Sequence, residues 1–310
     1  MLPQNEYAVK NNKVLLIAHR GGSREYLENT IEAFDNAYRL NANIIEMDLC
    51  LTKDKKIVVI HDSHLKRMTG VNKHVEEFNY NELPQIKDEV LIDFTIHKKF
   101  QTDLSTHRYF PLFEDVLKKY PNAIFNVEIK TPTDEFLQLL NNLIVKYDKS
   151  ESIVWGCRPP EYNKKIYKVN PKVQRWFNES IVFKTYFLFM IGLLPFVDLK
   201  ENSFQVPLYT TDFHLWKKKE AKTLRQQIYV FIMFKLVYLW TVLGGFIVYH
   251  LKQRGIVTYY WVLNSIYEFN HAVKLGANGI MTDSPTTLKQ FLISKDLYVD
   301  NNLFKQKKND

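Results

Sequence analysis

Cysteine is nearly missing from this 310-residue chain: Cys50 and Cys157 stand far apart and match no metal-binding spacing. That argues against a disulfide framework and for a reducing compartment, with Cys50 a small buried hydrophobe. Nucleic-acid motifs are missing too. The chain carries 42 Lys and Arg against 34 Asp and Glu, a net charge of +8. No basic helix or aromatic–basic interleave accompanies that excess, so no nucleic-acid partner is expected. The basic clusters at Lys217-Lys218-Lys219 and Lys305-Gln306-Lys307-Lys308 suit either an anionic membrane leaflet or a plain solvated surface. The opening residues, Met1–Lys13, have no apolar core. Neither a signal peptide nor an anchor is expected there, and an intracellular location follows.

What is present is enough to build a core. Hydrophobic residues make up 46% and charged ones 25%, ordinary for a folded protein. The length suits two small domains or one α/β barrel of about 250 residues. Strand-like apolar runs fall at 14–18, 43–49, 57–60, 124–129, 152–156, 173–177, 204–208, 257–262 and 278–282. Helical patterns lie between most of them, at 29–40, 112–119, 133–148, 160–168, 181–194, within 212–252, at 265–275 and at 285–293. The alternation predicts a parallel sheet with right-handed crossovers, and about eight such strands predict an α/β TIM (β/α)8 barrel. The stretch 52–110 is too long for a simple loop and predicts an insertion at the barrel mouth after strand 2. A polar segment is expected at 1–12, the barrel domain at 13–295, and a polar tail at 296–310, frayed after Phe304. Asn29, with Glu32 three residues on, is expected to cap the first helix or to belong to a phosphate loop with Glu28.

Ionisable residues gather at strand ends. The first run delivers His19-Arg20, the second carries Glu46 and Asp48, and the third ends in His61-Asp62. Strand side chains alternate, so Glu46 and Asp48 share one face about 7 Å apart. Two such carboxylates repel unless a cation or proton lies between them, and oxygen-only ligation suits Mg²⁺ or Ca²⁺. A fourth run, Phe125–Lys130, adds Glu128 as a third carboxylate and Lys130 as a fixed positive charge for a phosphate. The bland reading, a half-exposed polar strand face, loses ground once these groups are counted together.

These residues resemble the glycerophosphodiester phosphodiesterase family from about 14 to 293. The likeness rests on HRG at 19–21, ENT at 28–30, Glu46-x-Asp48, His61-Asp62, Thr69-Gly70, Glu128-x-Lys130, Trp261–Asn264 and the closing run Gly276–Pro285. It is most similar to the membrane-associated branch that acts as a lysophospholipase D, notably in Gly192–Val197 and Tyr260–Asn264. It departs in Asn41-Ala42, in the Ser23–Tyr26 link, and in having no N-terminal apolar span. The resemblance implies a divalent cation held by Glu46, Asp48 and Glu128, with His19 and His61 as the acid–base pair. Arg20 and Lys130 would neutralise the phosphate and Trp261 would wall the glycerol pocket, although Trp261 also suits plain barrel filling. Asn264 and Asp283, like Glu28 and Asn29, would orient these groups. The other histidines, at 64, 74, 97, 107, 214, 250 and 271, read as structural or surface residues.

The reaction expected is attack of the substrate's own 2-hydroxyl on phosphorus, giving a cyclic phosphate that water opens. Two apolar segments, about 181–197 and 228–249, have the composition of interfacial or buried outer helices. The second is long enough to span a bilayer, but a span there would prevent the barrel from closing. Both are therefore expected to dip into one leaflet near the mouth, or else to pack on the barrel. The expected substrate is a lysophospholipid, cut to lysophosphatidic acid at a cytoplasmic or endoplasmic reticulum membrane surface. The alternatives are soluble glycerophosphodiesters, giving glycerol 3-phosphate, and a catalytically silent lipid-binding barrel.

Overall fold

The computed structural model describes residues 1–93, 98–102 and 107–305, without the side chains of Asp212 and Lys305. In chain order the regular elements are α1 (Pro3–Asn11), β1 (Leu15–Ala18), α2 (Ile31–Arg39), β2 (Ile44–Leu51), β3 (Ile57–Val59), α3 (Lys66–Thr69), β4 (Glu89–Leu91) and β5 (Lys99–Gln101). They continue with α4 (Phe113–Lys119), β6 (Phe125–Ile129), α5 (Asp134–Lys146), β7 (Ile153–Gly156), α6 (Pro160–Val169), β8 (Gln174–Arg175), α7 (Glu179–Met190) and β9 (Ser203–Pro207). The last are α8 (Thr211–Glu220), α9 (Leu224–Gln253), β10 (Val257–Trp261), α10 (Ile266–Lys274), β11 (Gly279–Thr282), α11 (Pro285–Ser294) and α12 (Asn302–Lys305).

Parallel strands run in the order β8-β7-β6-β2-β1-β11-β10-β9. The ring closes where β8 meets β9, through a parallel bridge between Trp176 and Ser203 and a 2.8 Å bond from the Asn202 amide to the Arg175 carbonyl. The expected TIM barrel is thus the fold. Its strands are continuous apolar runs because both faces are buried. On β2, Ile44 points to the interior with Leu15, Ile17, Val154, Val257, Tyr259 and Met281. Ile45, Met47 and Leu49 point outward to the helices. The period of two then carries Glu46 and Asp48 inward above Ile44, at the C-terminal rim where barrel chemistry gathers.

Two local readings change, at the N-terminus and at the cap of α2. The opening segment forms α1 and plugs the barrel floor. Leu2 and Ala8 join the interior cluster, and the Tyr259 hydroxyl donates to Asn5 Oδ1 at 2.7 Å. Its polar composition concealed a helix that buries Asn5 with Ala8 and half-buries Tyr7 and Val9. The polar tail starts out packed on the barrel, with Val299 buried and Asn301 Nδ2 donating to the Ala42 carbonyl at 2.8 Å; residues 306–310, where fraying is expected, lie outside the described residues. The cap of α2 is Thr30, whose side chain accepts from the Ala33 amide. Asn29, at φ +57°, is turned away from the helix and toward Asp48.

The segment after β2 is a mouth insertion. β3 returns antiparallel along β2, pairing Cys50 with Val58. Beyond it, α3 and the β4–β5 hairpin bury their own small core of Val58, Ile60, Leu65, Met68, Val75 and Phe110. Residues 94–97, with His97, and 103–106 of this insertion lie outside the described residues. The long helical pattern within 212–252 is two helices, broken at Ala221–Thr223, where Thr223 caps α9.

Candidate active site

The end of β1 turns abruptly. Arg20 (φ +51°), Gly21 (φ +83°) and Gly22 (φ +111°) lie in succession in the left-handed region. A Cβ on Gly21 would come within 2.7 Å of the Ala33 Cβ, so this close approach to α2 requires glycine. The turn aims the Arg20 amide at Glu46, whose Oε2 accepts at 2.8 Å. The Arg20 guanidinium is buried among carboxylates: Nη1 donates to Glu28 Oε1 at 2.9 Å, Nη2 to Asp93 Oδ2 at 3.1 Å, and Nε lies 3.4 Å from Asp48 Oδ2.

On the neighbouring strands, β2 and β6 pair in a register that sets Asp48 beside Glu128. The Lys130 ammonium bridges these two, 2.9 Å from Asp48 Oδ1 and 2.8 Å from Glu128 Oε2. Asn29 Nδ2 donates to the other Asp48 oxygen at 2.9 Å. Among these contacts Asp48 is held well below the usual carboxylate range: burial opposes this, but Lys130, His61 and Arg20 outweigh it. Glu46 goes the other way. Burial and then the Asp48 charge push it up to about 7.

Each histidine leans on an aspartate. His19 Nδ1 is 2.6 Å from Asp283 Oδ1, which also accepts from Ser23 Oγ at 2.6 Å, and Asp283 Oδ2 accepts from Asn264 Nδ2 at 2.9 Å. His61 Nδ1 is 2.6 Å from Asp62 Oδ1. Asp62 is gripped by Arg67, whose Nε donates to Oδ2 at 2.6 Å. The outcomes differ. Burial lowers the His19 pKa, but Asp283 more than offsets this and the net shift is upward. For His61, burial, Arg20 and Lys130 prevail and the shift is downward.

A cavity of about 290 Å³ opens over these groups. His19, Arg20, Glu46, Asp48, His61, Glu128 and Trp261 all line it, together with Asn126, Arg158 and Gln205. Lys130, Glu28, Asn29 and Asp283 stand behind that wall as partners of its members. Asn264 lines the adjoining cavity, which shares Trp261 and Phe213 with the first.

Comparison with known proteins gives this constellation a family. Residues 19–166 match the sequence model of the Glycerophosphoryl diester phosphodiesterase family. The chain is 36% identical over 277 residues to human Lysophospholipase D GDPD1, covering 89% of this chain and 85% of that protein. The chain belongs to the glycerophosphoryl diester phosphodiesterase family. It is also similar to mouse Lysophospholipase D GDPD3, 33% identical over 287 residues, with 90% and 82% covered. In fold it resembles a crystal structure of a putative glycerophosphoryl diester phosphodiesterase from Silicibacter pomeroyi, with TM-score 0.67, 16% identity, and 95% and 99% of the chains covered. The protein is a phosphodiesterase, a phosphoric diester hydrolase.

Several residues of this phosphodiesterase site escaped the reading of the sequence. Arg67, on α3, also donates from Nη2 to Glu28 Oε1 at 2.6 Å and from Nη1 to Glu28 Oε2 at 2.9 Å. It therefore links the aspartate behind His61 to the glutamate that holds Arg20. Its place six residues after His61 carries no periodic signal. Asn126 and Gln205 pair their amides across the interior at 2.9 and 3.1 Å. Of the two, only Asn126 had a signal that could have found it, its place two residues before Glu128 on the same inward face. Asp93, from the insertion, joins His61 and Asp62. Among the described residues, these three form the group of possible metal ligands whose donor atoms all lie within 4.8 Å of one another. Their charges already have cationic partners in Arg20 and Arg67.

Glu46, Asp48 and Glu128 supply the hard oxygen donors a divalent cation prefers, but they are not among the groups whose donor atoms all lie within 4.8 Å of one another, and Lys130 bridges Asp48 and Glu128. All three present oxygen to one cavity. Glu46 meets the Arg20 amide and, at 3.9 Å, His19 Nε2, so its buried charge is under-compensated as its raised pKa registers.

Proposed function

We propose that this phosphodiesterase is a metal-dependent lysophospholipase D, releasing the head-group alcohol from lysophospholipids to leave lysophosphatidic acid. The observation that carries the reading is the two-sided cavity. Its floor is the histidine–carboxylate cluster, and its wall is apolar, with Val182 and Phe183 from α7 and Met233, Val237 and Trp240 from α9. A phosphate belongs on the first and a hydrocarbon chain against the second.

Glu46, Asp48 and Glu128 would hold the cation, Mg²⁺ or Ca²⁺. When bound it supplies Lewis-acid polarisation of the phosphoryl oxygens. Arg20 lines the cavity and adds positive charge, and Lys130 sets the two carboxylates it bridges. His61, whose lowered pKa keeps it neutral, takes the proton of the substrate 2-hydroxyl as that oxygen attacks phosphorus. His19, whose pKa Asp283 raises, gives its proton to the departing head-group oxygen as the P–O bond breaks. Pairs of like groups driven apart in pKa divide acid and base roles in this way. The cyclic phosphate then takes up water, with the roles of the two histidines reversed. No protein nucleophile is required, and intramolecular attack gains effective concentration.

Membrane contact belongs to the same reading. α9 is long and apolar enough by composition to cross a membrane, but here its inner face packs on the barrel through Val237, Trp240, Ile247, Val248 and Leu251. Its outer face exposes Ile228, Phe231, Ile232, Val242 and Phe246, and the loop after α7 exposes Leu193 and Phe196. With Lys217, Lys218 and Lys219 nearby on α8, this surface suits an anionic leaflet.

The test is to incubate the purified protein with lysophosphatidylcholine and with glycerophosphocholine, each with divalent cation, and to identify products by mass spectrometry. Lysophosphatidic acid and choline from the first support the proposal. Turnover confined to glycerophosphocholine assigns the enzyme to soluble diesters instead, and turnover of neither leaves a silent barrel. A 2-deoxy analogue should react at least about tenfold more slowly. An equal rate would replace the cyclic intermediate by direct attack of water.

A further inference from the structure

The apolar wall is a stripe with a direction. Tyr229, Met233, Val237 and Trp240 line the catalytic cavity from one side of α9, at the spacing that stacks side chains on a single helix face. Along that stripe exposure falls from 54% at Tyr229, through half-buried Met233, to 2% at Val237 and 6% at Trp240. Across the gap stand Val182 and Phe183 of α7. The inner end is closed by Trp240, stacked on Tyr186 with centroids 4.1 Å apart and against Phe183 at 5.0 Å. The outer end is open: the first turns of α9, from Leu224 to Tyr229, are exposed, with Leu224 and Ile228 apolar. The Tyr229 hydroxyl donates to Glu179 Oε1 at 3.2 Å and joins the two helices there.

We propose that the gap between α7 and α9 is a slot for the hydrocarbon chain of a single-chain glycerophospholipid, with Met233 and Val237 setting its width. The slot rests on the lysophospholipase reading and deepens it. A volume of about 290 Å³, at the small end of ligand cavities, takes a glycerophosphate and the start of one chain. The rest of the chain leaves along the stripe toward the exposed apolar turns of α9. The head group thus enters first, and the tail stays in the surface from which the lipid was drawn. The stripe spends its aromatic and aliphatic groups on burial that a soluble diester would not supply.

Wild type, Met233→Trp and Val237→Trp, each loaded with divalent cation, are compared on lysophosphatidylcholine and glycerophosphocholine. The slot predicts that the ratio of kcat/KM for the lipid to that for the soluble diester falls about tenfold or more in both variants, the scale of a steric mismatch in an apolar pocket. A direct binding measurement uses the catalytically silenced His61→Ala protein with lysophosphatidylcholine, where adding Met233→Trp should weaken binding by a like factor. An unchanged ratio with unchanged binding overturns the slot, as does equal loss on both substrates. Lipid that binds in a Met233-dependent way but is never cleaved keeps the slot and removes the reaction. Failure of the two ideas is thereby told apart.

Discussion

Two histidines with one intrinsic pKa are driven apart by their surroundings: burial, Arg20 and Lys130 lower His61, whereas Asp283 outweighs burial and raises His19. Asp283 accepts hydrogen bonds from the neutral donors Ser23 and Asn264 and has the Arg24 Nε 3.9 Å away, so much of its charge acts on His19. Asp62 shares its charge with the Arg67 guanidinium, so less of it reaches His61. The sign of the pH dependence follows. Activity falls on the acid side as His61 protonates, below its usual 6.5 because that pKa is lowered. It falls on the alkaline side as His19 deprotonates, above 6.5 because that pKa is raised. A pH–rate profile should therefore be a bell spanning 6.5, and Asp283→Asn should pull in its alkaline limb. An alkaline limb that stays put in that variant would remove His19 as the acid. Arg67 belongs to the same scale. Replacing it with Lys keeps a charge but loses the planar fork that serves Asp62 and Glu28 together. A loss of about 10–100-fold in kcat is expected, with KM little moved and the acid limb shifted upward, since Asp62 then acts more fully on His61. Wild-type kcat and an unmoved acid limb in Arg67→Lys would count against that positioning role.

At the scale of elements, β2 and α9 carry the function in different ways. β2 is a rigid stave whose alternation puts Ile44 in the interior core and Glu46 and Asp48 at the rim. That much was legible from spacing alone. The role of Asn29 was not, because a residue at φ +57° leaves the helix-capping geometry that its sequence context suggests, and Thr30 takes its place. Asn29→Ala should cost about 1–3 kcal/mol of stability by withdrawing a donor from buried Asp48, readable by denaturant unfolding. α9 was legible as an apolar run that covers the barrel, but which of its faces does so was not. Its two faces differ in what they touch, not in polarity, so periodicity could not separate them. Burial of Ile228 and Phe231 in a leaflet is worth about 1.5–3 kcal/mol each. Ile228→Glu with Phe231→Glu should accordingly lower co-sedimentation with anionic liposomes at least tenfold. Because both side chains already face solvent, circular dichroism should be unchanged. Wild-type protein that ignores liposomes would end the leaflet proposal.

Across the whole molecule, the barrel was readable because each strand is a short apolar run between helical patterns, and because eight of them must close. The plug α1 was not, since Leu2 and Ala8 are too few to mark a face. The Asn126–Gln205 pair was not, since its members lie 79 positions apart and meet only when β6 and β9 face each other across the ring. The cation ties these scales together. In the folded protein Glu46 titrates near 7 instead of near 4.5, so the native state binds the extra proton. Without the cation, stability should fall as pH rises from about 4.5 to 7. A divalent cation competes with that proton, and its stabilisation should grow over the same interval. At a hundredfold excess over Kd it amounts to roughly 2.7 kcal/mol, which a thermal melt at pH 8 should show more strongly than one at pH 5. Equal shifts at both values would separate Glu46 from the cation.

The most direct test of the central claim is the initial rate of phosphodiester cleavage under chelation, in wild type and in Glu46→Gln. Wild type should lose at least about a hundredfold of its rate in EDTA and regain it when Mg²⁺ or Ca²⁺ is restored, while Glu46→Gln, folded by circular dichroism, should stay inactive throughout. A wild-type rate indifferent to EDTA, or a Glu46→Gln rate near normal, would contradict the claim that these carboxylates and a divalent cation do the chemistry.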